Sequence, residues 1–167
     1  MELVIEQEIP FPLEQVEQVI VAPETWGNIT IYIPSLKELK LLYREEVGNN
    51  VCLRKWYVPD ITVPWFAKGK IKDEMLEWGE LFTWDPQTKH GDFLIEPNIP
   101  REWNKYFSCS GKYILKPKTQ DSTVRIVTLD IRVSVPLFSA MAEGYIGDRI
   151  KDWYRQEADA LTILAAK

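Results

Sequence analysis

Cysteine and histidine are scarce in this chain: two cysteines and one histidine stand among 167 residues. Two cysteines are too few for a disulfide-stapled scaffold. Cys52 and Cys109 fall in strand-like runs without metal-ligand spacing, so they read as buried free thiols and no metal is expected. The one histidine, His90, sits in the polar turn 87–91 and reads as a solvent-exposed turn residue. With it alone, no Ser-His-Asp triad, Cys-His pair or histidine-based zinc site can be assembled. Glycine-rich phosphate loops are missing too, and no cofactor is expected. No run approaches the roughly 20 apolar residues of a membrane span. The first residues, Met1 to Glu6, have neither the basic region nor the apolar length of a signal peptide, which makes a cytoplasmic location the expectation. Positive charge is not in excess: 20 Lys and Arg against 25 Asp and Glu give a net charge of −5. That balance argues against general nucleic-acid binding, and the interspersed signs suggest solubility.

What is present is enough for one ordinary domain, with 46% hydrophobic and 27% charged residues over positions 1–167. The stretch from Leu137 to Lys167 predicts one long amphipathic helix. Met141, Tyr145, Ile146, Ile150, Trp153, Ala160, Leu161 and Leu164 recur at three- and four-residue steps between charged positions. Ser139 is a candidate cap, with Glu143 four residues on, a looser spacing than a true capping box. Gly144 and Gly147 lie in the first turns, where each costs about 1 kcal/mol relative to alanine. Either they permit a kink or a close crossing over a strand, or they leave room for a ligand beneath the helix.

Upstream, Glu2 to Glu8 alternates as an edge or half-buried strand. Pro12 opens a short helix with Leu13, Val16, Val19 and Ile20 on one face, and Pro23 stops it. A second helical turn spans 23–28, with Trp26 buried. Strands are predicted over 37–47, 51–58, 75–85, 92–96, 106–116 and 123–135, the first two joined at Gly48-Asn49-Asn50. Gly79 reads as a bulge in the 75–85 strand. Residues 59–74 read as a loop with a short helix, with a strand or a lid over a pocket mouth as the alternatives; Lys68, Lys70 and Lys72 form a solvated face or, as the lesser reading, meet an anionic membrane surface. The order is strand, two short helices, six hairpin-linked strands and a long helix, so the fold class is α+β. An antiparallel sheet covered by one helix leaves a cavity suited to apolar ligands.

Three local patterns carry a family resemblance. They are Pro12-Leu13-Glu14 through Val16 and on to Pro23-Glu24-Thr25-Trp26; Trp78, Glu80 and Trp84-Asp85; and Gly111 to Pro117 followed by a long strand, Val135-Pro136 and the final helix. In this order the chain resembles the START-like superfamily, also called polyketide cyclase/dehydrase-like or SRPBCC. The resemblance implies a helix-grip fold, a curved antiparallel sheet wrapped around the C-terminal helix. Members bind lipids, sterols, polyketides, quinones and plant hormones; some are cyclases or dehydratases, and others are chaperone co-activators. Fold analogy supports a pocket without choosing its occupant.

Glu80 is the best polar candidate, because alternation puts it on one face with Trp78, Phe82 and Trp84. There it is either a pocket carboxylate, with Arg54 or Lys55 as its cation, or a residue that faces water beside Gly79 or makes a structural ion pair. Tyr43, Tyr57, Tyr113 and Tyr145 are candidates to line a pocket with directed hydroxyls, beside Phe107, Ile146 and Ile150. Seven tryptophans suit an aromatic-lined cavity or an ordinary core. The leading expectation is binding or carriage of a hydrophobic or amphipathic small molecule, such as a lipid, polyketide or aromatic metabolite. The alternatives are a cyclase or dehydratase using Glu80 or a tyrosine, and a protein-interaction module with a filled core. Ligand identity and oligomeric state stay open.

Overall fold

In the computed structural model, which describes residues 1–137 and 139–167, period-two alternation builds one seven-stranded antiparallel sheet. Strands β1 (Glu2–Ile9), β2 (Leu36–Val47), β3 (Asn50–Pro59), β4 (Trp78–Asp85), β5 (His90–Pro97), β6 (Phe107–Thr119) and β7 (Ser122–Val133) lie in the order β1-β7-β6-β5-β4-β3-β2. Helices α1 (Leu13–Val21) and α2 (Pro23–Asn28) follow β1, and the long helix α3 (Ser139–Ala165) follows β7. The sheet is curved and α3 crosses it, the helix-grip arrangement.

Local chemistry explains most boundaries. Pro12 precedes α1 and Pro23 opens α2, where the missing N–H is not needed. Leu13, Val16 and Ile20 bury one face of α1, and the Trp26 indole donates to the Ile20 carbonyl at 3.0 Å. His90 is exposed, at the start of β5. Cys109 is buried, and burial pushes its thiol up to about 12; Cys52, expected to be buried, is only partly so.

One expectation about glycine changes. Gly79 is no bulge: β4 runs in unbroken register with both neighbours, and the glycine gives the Arg54 and Trp56 side chains room. The strand-interior glycines that matter sterically are Gly91 and Gly111. A Cβ on Gly91 would meet the Phe82 ring at 2.7 Å, and one on Gly111 would collide with Phe93 and the Thr128 carbonyl. Each glycine therefore seats an aromatic ring from the facing strand.

Helix α3 begins at Ser139, whose hydroxyl donates back to the Val135 carbonyl at 2.7 Å; Glu143 reaches the Val133 amide. Its first turns keep one face on the core, through Ala142 and Ile146, and the other open. Met141 is exposed, Gly144 faces open surroundings, and Gly147 rests on Met1, where an added Cβ would stand 3.2 Å from the Met1 methyl. Thus Gly147 serves a close crossing, and neither glycine opens a void beneath the helix.

Further along, polar bonds fasten the helix. Gln7 and Arg125 both donate to the Tyr154 carbonyl, at 2.9 and 2.6 Å, and Gln15 donates to the Ala165 carbonyl at 2.5 Å. The Ser35 amide and hydroxyl donate to Gln156 at 3.1 and 2.9 Å. Tyr154, Ala158, Ala160 and Leu161 are buried against the sheet and α1 side.

Between β3 and β4 the chain is irregular. It makes two short 3-10 turns, Trp65–Ala67 and Asp73–Leu76, and β4 starts only at Trp78, three residues later than expected.

Candidate functional site

Odd-numbered residues of β3 from Val51 to Pro59 are buried, and this phase turns Lys55 inward and Arg54 outward. Antiparallel register puts Lys55 directly opposite Glu80. The two form a 2.6 Å ion pair with side chains 3% and 10% exposed, so Glu80 does not face water. Arg54 pairs instead with Glu96 on the outer face. The Lys55 ammonium also lies 3.6 Å from the centre of the Trp26 ring, where the indole face supplies a second source of negative potential.

A second buried pair stands nearby. Arg125 of β7, fully buried, donates to Glu157 of α3 at 2.5 Å and to Gln7 of β1. Two cations and two carboxylates thus share one interior at zero net charge, the condition under which buried charge is tolerated. Burial pushes the Tyr57 and Tyr154 phenols well above their ordinary range, and the negative charges of Glu80 and Glu157 push the same way. Burial likewise raises the Tyr113 phenol to about 12, against the pull of Arg125.

Within this cluster lies a cavity of about 10 Å³, lined by Trp26, Lys55, Glu80, Tyr113, Tyr154 and Glu157 among others. Tyr113 Oη is buried and has no partner at ordinary hydrogen-bond geometry, although the Arg125 guanidinium lies close enough to oppose the rise of the phenol's pKa.

Tyr57 and Trp78, opposite each other in the β3–β4 register, stack at 5.0 Å. Trp153 of α3 meets both edge-on, at 5.3 and 6.3 Å. Lys55 and Glu80 lie on one side of this aromatic triad along the strands. On the other side, at Val58, Pro59 and Glu77, a cleft of about 480 Å³ opens. It is completed by Asp60, Ile61, Thr62, Asp73 and Glu74 of the irregular segment, with Lys37, Tyr145 and Arg149. Its charge is acidic, with Asp60, Asp73, Glu74 and Glu77 against Lys37 and Arg149. Tyr145 carries the aromatic set outward, edge-on to Phe66 at 5.9 Å, and Phe66 in turn meets Trp65, which is 76% exposed.

The structure therefore separates the residues that the sequence groups as one pocket. Phe82, Glu80 and Tyr113 line the inner cavity, and Tyr145 lines the outer cleft. Tyr57 and Trp78 stand between the two. Tyr43 is 44% exposed on edge strand β2, beside a register shift, and lines neither space. Trp84 is wholly buried core, with its indole donating to Glu17 at 2.9 Å. Phe107, Ile146 and Ile150 are partly buried and pack on the core rather than lining either space. Arg125, Tyr154 and Glu157 are missed by sequence reasoning. The signal for Arg125 is its place two residues before Val127 on the inward face of β7, and for Glu157 its place between Trp153 and Leu161 on the apolar stripe of α3. Among the described residues, no group of three or more His, Cys, Asp or Glu side chains is arranged to hold a metal ion.

Residues 5–163 match the family described as "Protein of unknown function (DUF2505)". The chain belongs to this family. No curated protein sequence matches it. Among solved structures, the ZhuI aromatase/cyclase from Streptomyces sp. R1128 is similar over 99% of this chain and 93% of its own, with 14% identity and a TM-score of 0.67. Norcoclaurine synthase from Thalictrum flavum is similar over 100% and 87%, with 16% identity and a TM-score of 0.67. A START superfamily protein from Mycobacterium smegmatis is similar over 98% of each chain, with 14% identity and a TM-score of 0.57. The fold of this family member is accordingly START-like, and identities this low carry the fold alone. No helix among the described residues is long and apolar enough to cross a membrane.

Proposed function

We propose that this protein binds an amphipathic small molecule with an aromatic body in the cleft between the 60–77 segment and α3. The observation that carries the reading is the cleft itself. At about 480 Å³ it falls within the roughly 300–1,000 Å³ typical of small-molecule sites. Tyr145 lies in its wall, with Val58, Pro59 and Ile61 as the apolar side chains beside it. Burying about 200 Å² of a ligand's apolar surface there is worth about 5 kcal/mol at the usual transfer coefficient.

The acidic lining narrows the ligand class. A fatty-acid carboxylate would meet four carboxylates and only two cations, whereas a neutral phenol or an amine meets acceptors. The START-like relatives fit this class: one is an aromatase/cyclase, and norcoclaurine synthase has been seen with dopamine and hydroxybenzaldehyde. Titration calorimetry with tyramine, 4-ethylphenol and 3-(4-hydroxyphenyl)propionate compares three charges on one skeleton. The expected order of affinity is amine, then phenol, then carboxylate; tightest binding of the carboxylate, or no binding of any, contradicts the proposal.

A second reading, a cyclase or dehydratase, is favoured by one feature: the buried Lys55–Glu80 pair lies just behind the aromatic triad. General acid–base catalysis needs such a group within hydrogen-bond reach of the substrate, directly or through one water, so this reading requires the aromatic triad to open. Glu80→Gln distinguishes the two, provided its melting temperature shows that the fold survives loss of the buried pair with Lys55. A folded enzyme variant loses turnover while still binding, and a folded carrier variant keeps its affinity, since Glu80 lies outside the cleft.

A further inference from the structure

The inner cavity combines three features. Its free volume of about 10 Å³ is close to what one water needs, and far below what any organic ligand needs. Its wall carries donors and acceptors together, in the Lys55 ammonium, the Glu80 and Glu157 carboxylates and the Tyr113 and Tyr154 side chains. Tyr113 is 6% exposed, and its hydroxyl is the one buried side-chain polar atom without a partner among the described residues. A buried hydroxyl without a hydrogen bond is costly, which is why such groups recur beside internal waters.

We propose that this cavity is a binding site for a single structural water, held by Tyr113 Oη and by the polar groups of the Lys55–Glu80 and Arg125–Glu157 pairs that face it. One water offers two donors and two acceptor positions, so it satisfies the phenol and at least one carboxylate at once. The two ion pairs then belong to one hydrogen-bonded cluster that ties β3 and β4 to β7 and α3. Ile20, Trp26, Phe82 and Phe93 complete the wall.

The test uses the ligand-free full chain and does not depend on the outer cleft. A crystal structure at about 1.5 Å resolution is expected to show one water within about 3.2 Å of Tyr113 Oη and of a second cluster group. Tyr113→Phe keeps the ring seated against Phe82 and Trp84 and removes only the hydroxyl. It is expected to lose the water and lower Tm by about 2–4 °C. Two results overturn the proposal: a Tyr113 hydroxyl bonded only to protein groups in the wild-type crystal, or a Tyr113→Phe variant as stable as wild type or more so. A hydroxyl buried without water predicts the second of these.

Discussion

Lys55 and Glu80 compensate each other's charge in the interior. Removing one partner leaves an uncompensated buried charge, so Lys55→Met is expected to cost about 3–5 kcal/mol in urea unfolding. Removing both costs much less: Lys55→Met/Glu80→Leu should recover most of that loss in the same measurement. A single and a double variant of equal stability would show that the pair is not buried as described. The tyrosines set the alkaline limit. The folded protein holds the Tyr113 phenolic proton to about 12, against an ordinary value of 10.0, and Tyr57 and Tyr154 shift the same way. Above pH 10 the unfolded chain releases these protons first, so it binds fewer than the folded chain and stability falls as pH rises. Denaturant midpoints at pH 8, 10 and 11 should decline in that order. Absorbance at 295 nm should stop short of all seven tyrosines until the protein unfolds.

Among the elements, α3 and the central strands respond in opposite ways to added methyl groups. Gly144→Ala meets nothing within 4 Å and gains helix propensity, so it should stabilise by about 0.5–1 kcal/mol and raise Tm. Gly111→Ala forces a methyl group into Phe93 and a backbone carbonyl, and should destabilise by more than about 3 kcal/mol or prevent folding. Thermal melts of the two variants check both signs. These elements were also the most legible part of the sequence. Alternation in β4 correctly groups Glu80 with Trp78, Phe82 and Trp84, because a strand buried on one face must repeat every second residue. The same rule, carried two residues back from Val127, points Arg125 inward; its charge is what conceals it. Choosing Lys55 over Arg54 needs the phase of β3, set by Leu53 and Tyr57. The 60–77 segment is different. Its proline-broken 3-10 turns have no period to read, so the cleft that it forms could not be located from sequence, nor could Asp73, Glu74 and Glu77 be assigned to it.

At the scale of the whole molecule, a sheet gripping a helix predicts a cavity between them, and here that interior is mostly occupied. Aromatic rings and two ion pairs occupy much of it, with a water-sized cavity among them, while a ligand-sized cleft lies at the open end. A binding protein and a filled interaction module share every other feature of the fold, so they part only at that cleft. The most direct measurement is native mass spectrometry of the protein incubated with tyramine and, separately, 4-ethylphenol, repeated on a Tyr145→Ala/Glu77→Gln variant. The account predicts a one-to-one adduct that weakens at least tenfold in the variant while the variant's Tm stays within a few degrees of wild type. A bare protein mass with both compounds, or an adduct indifferent to both substitutions, would contradict it and leave the filled interaction module as the better description.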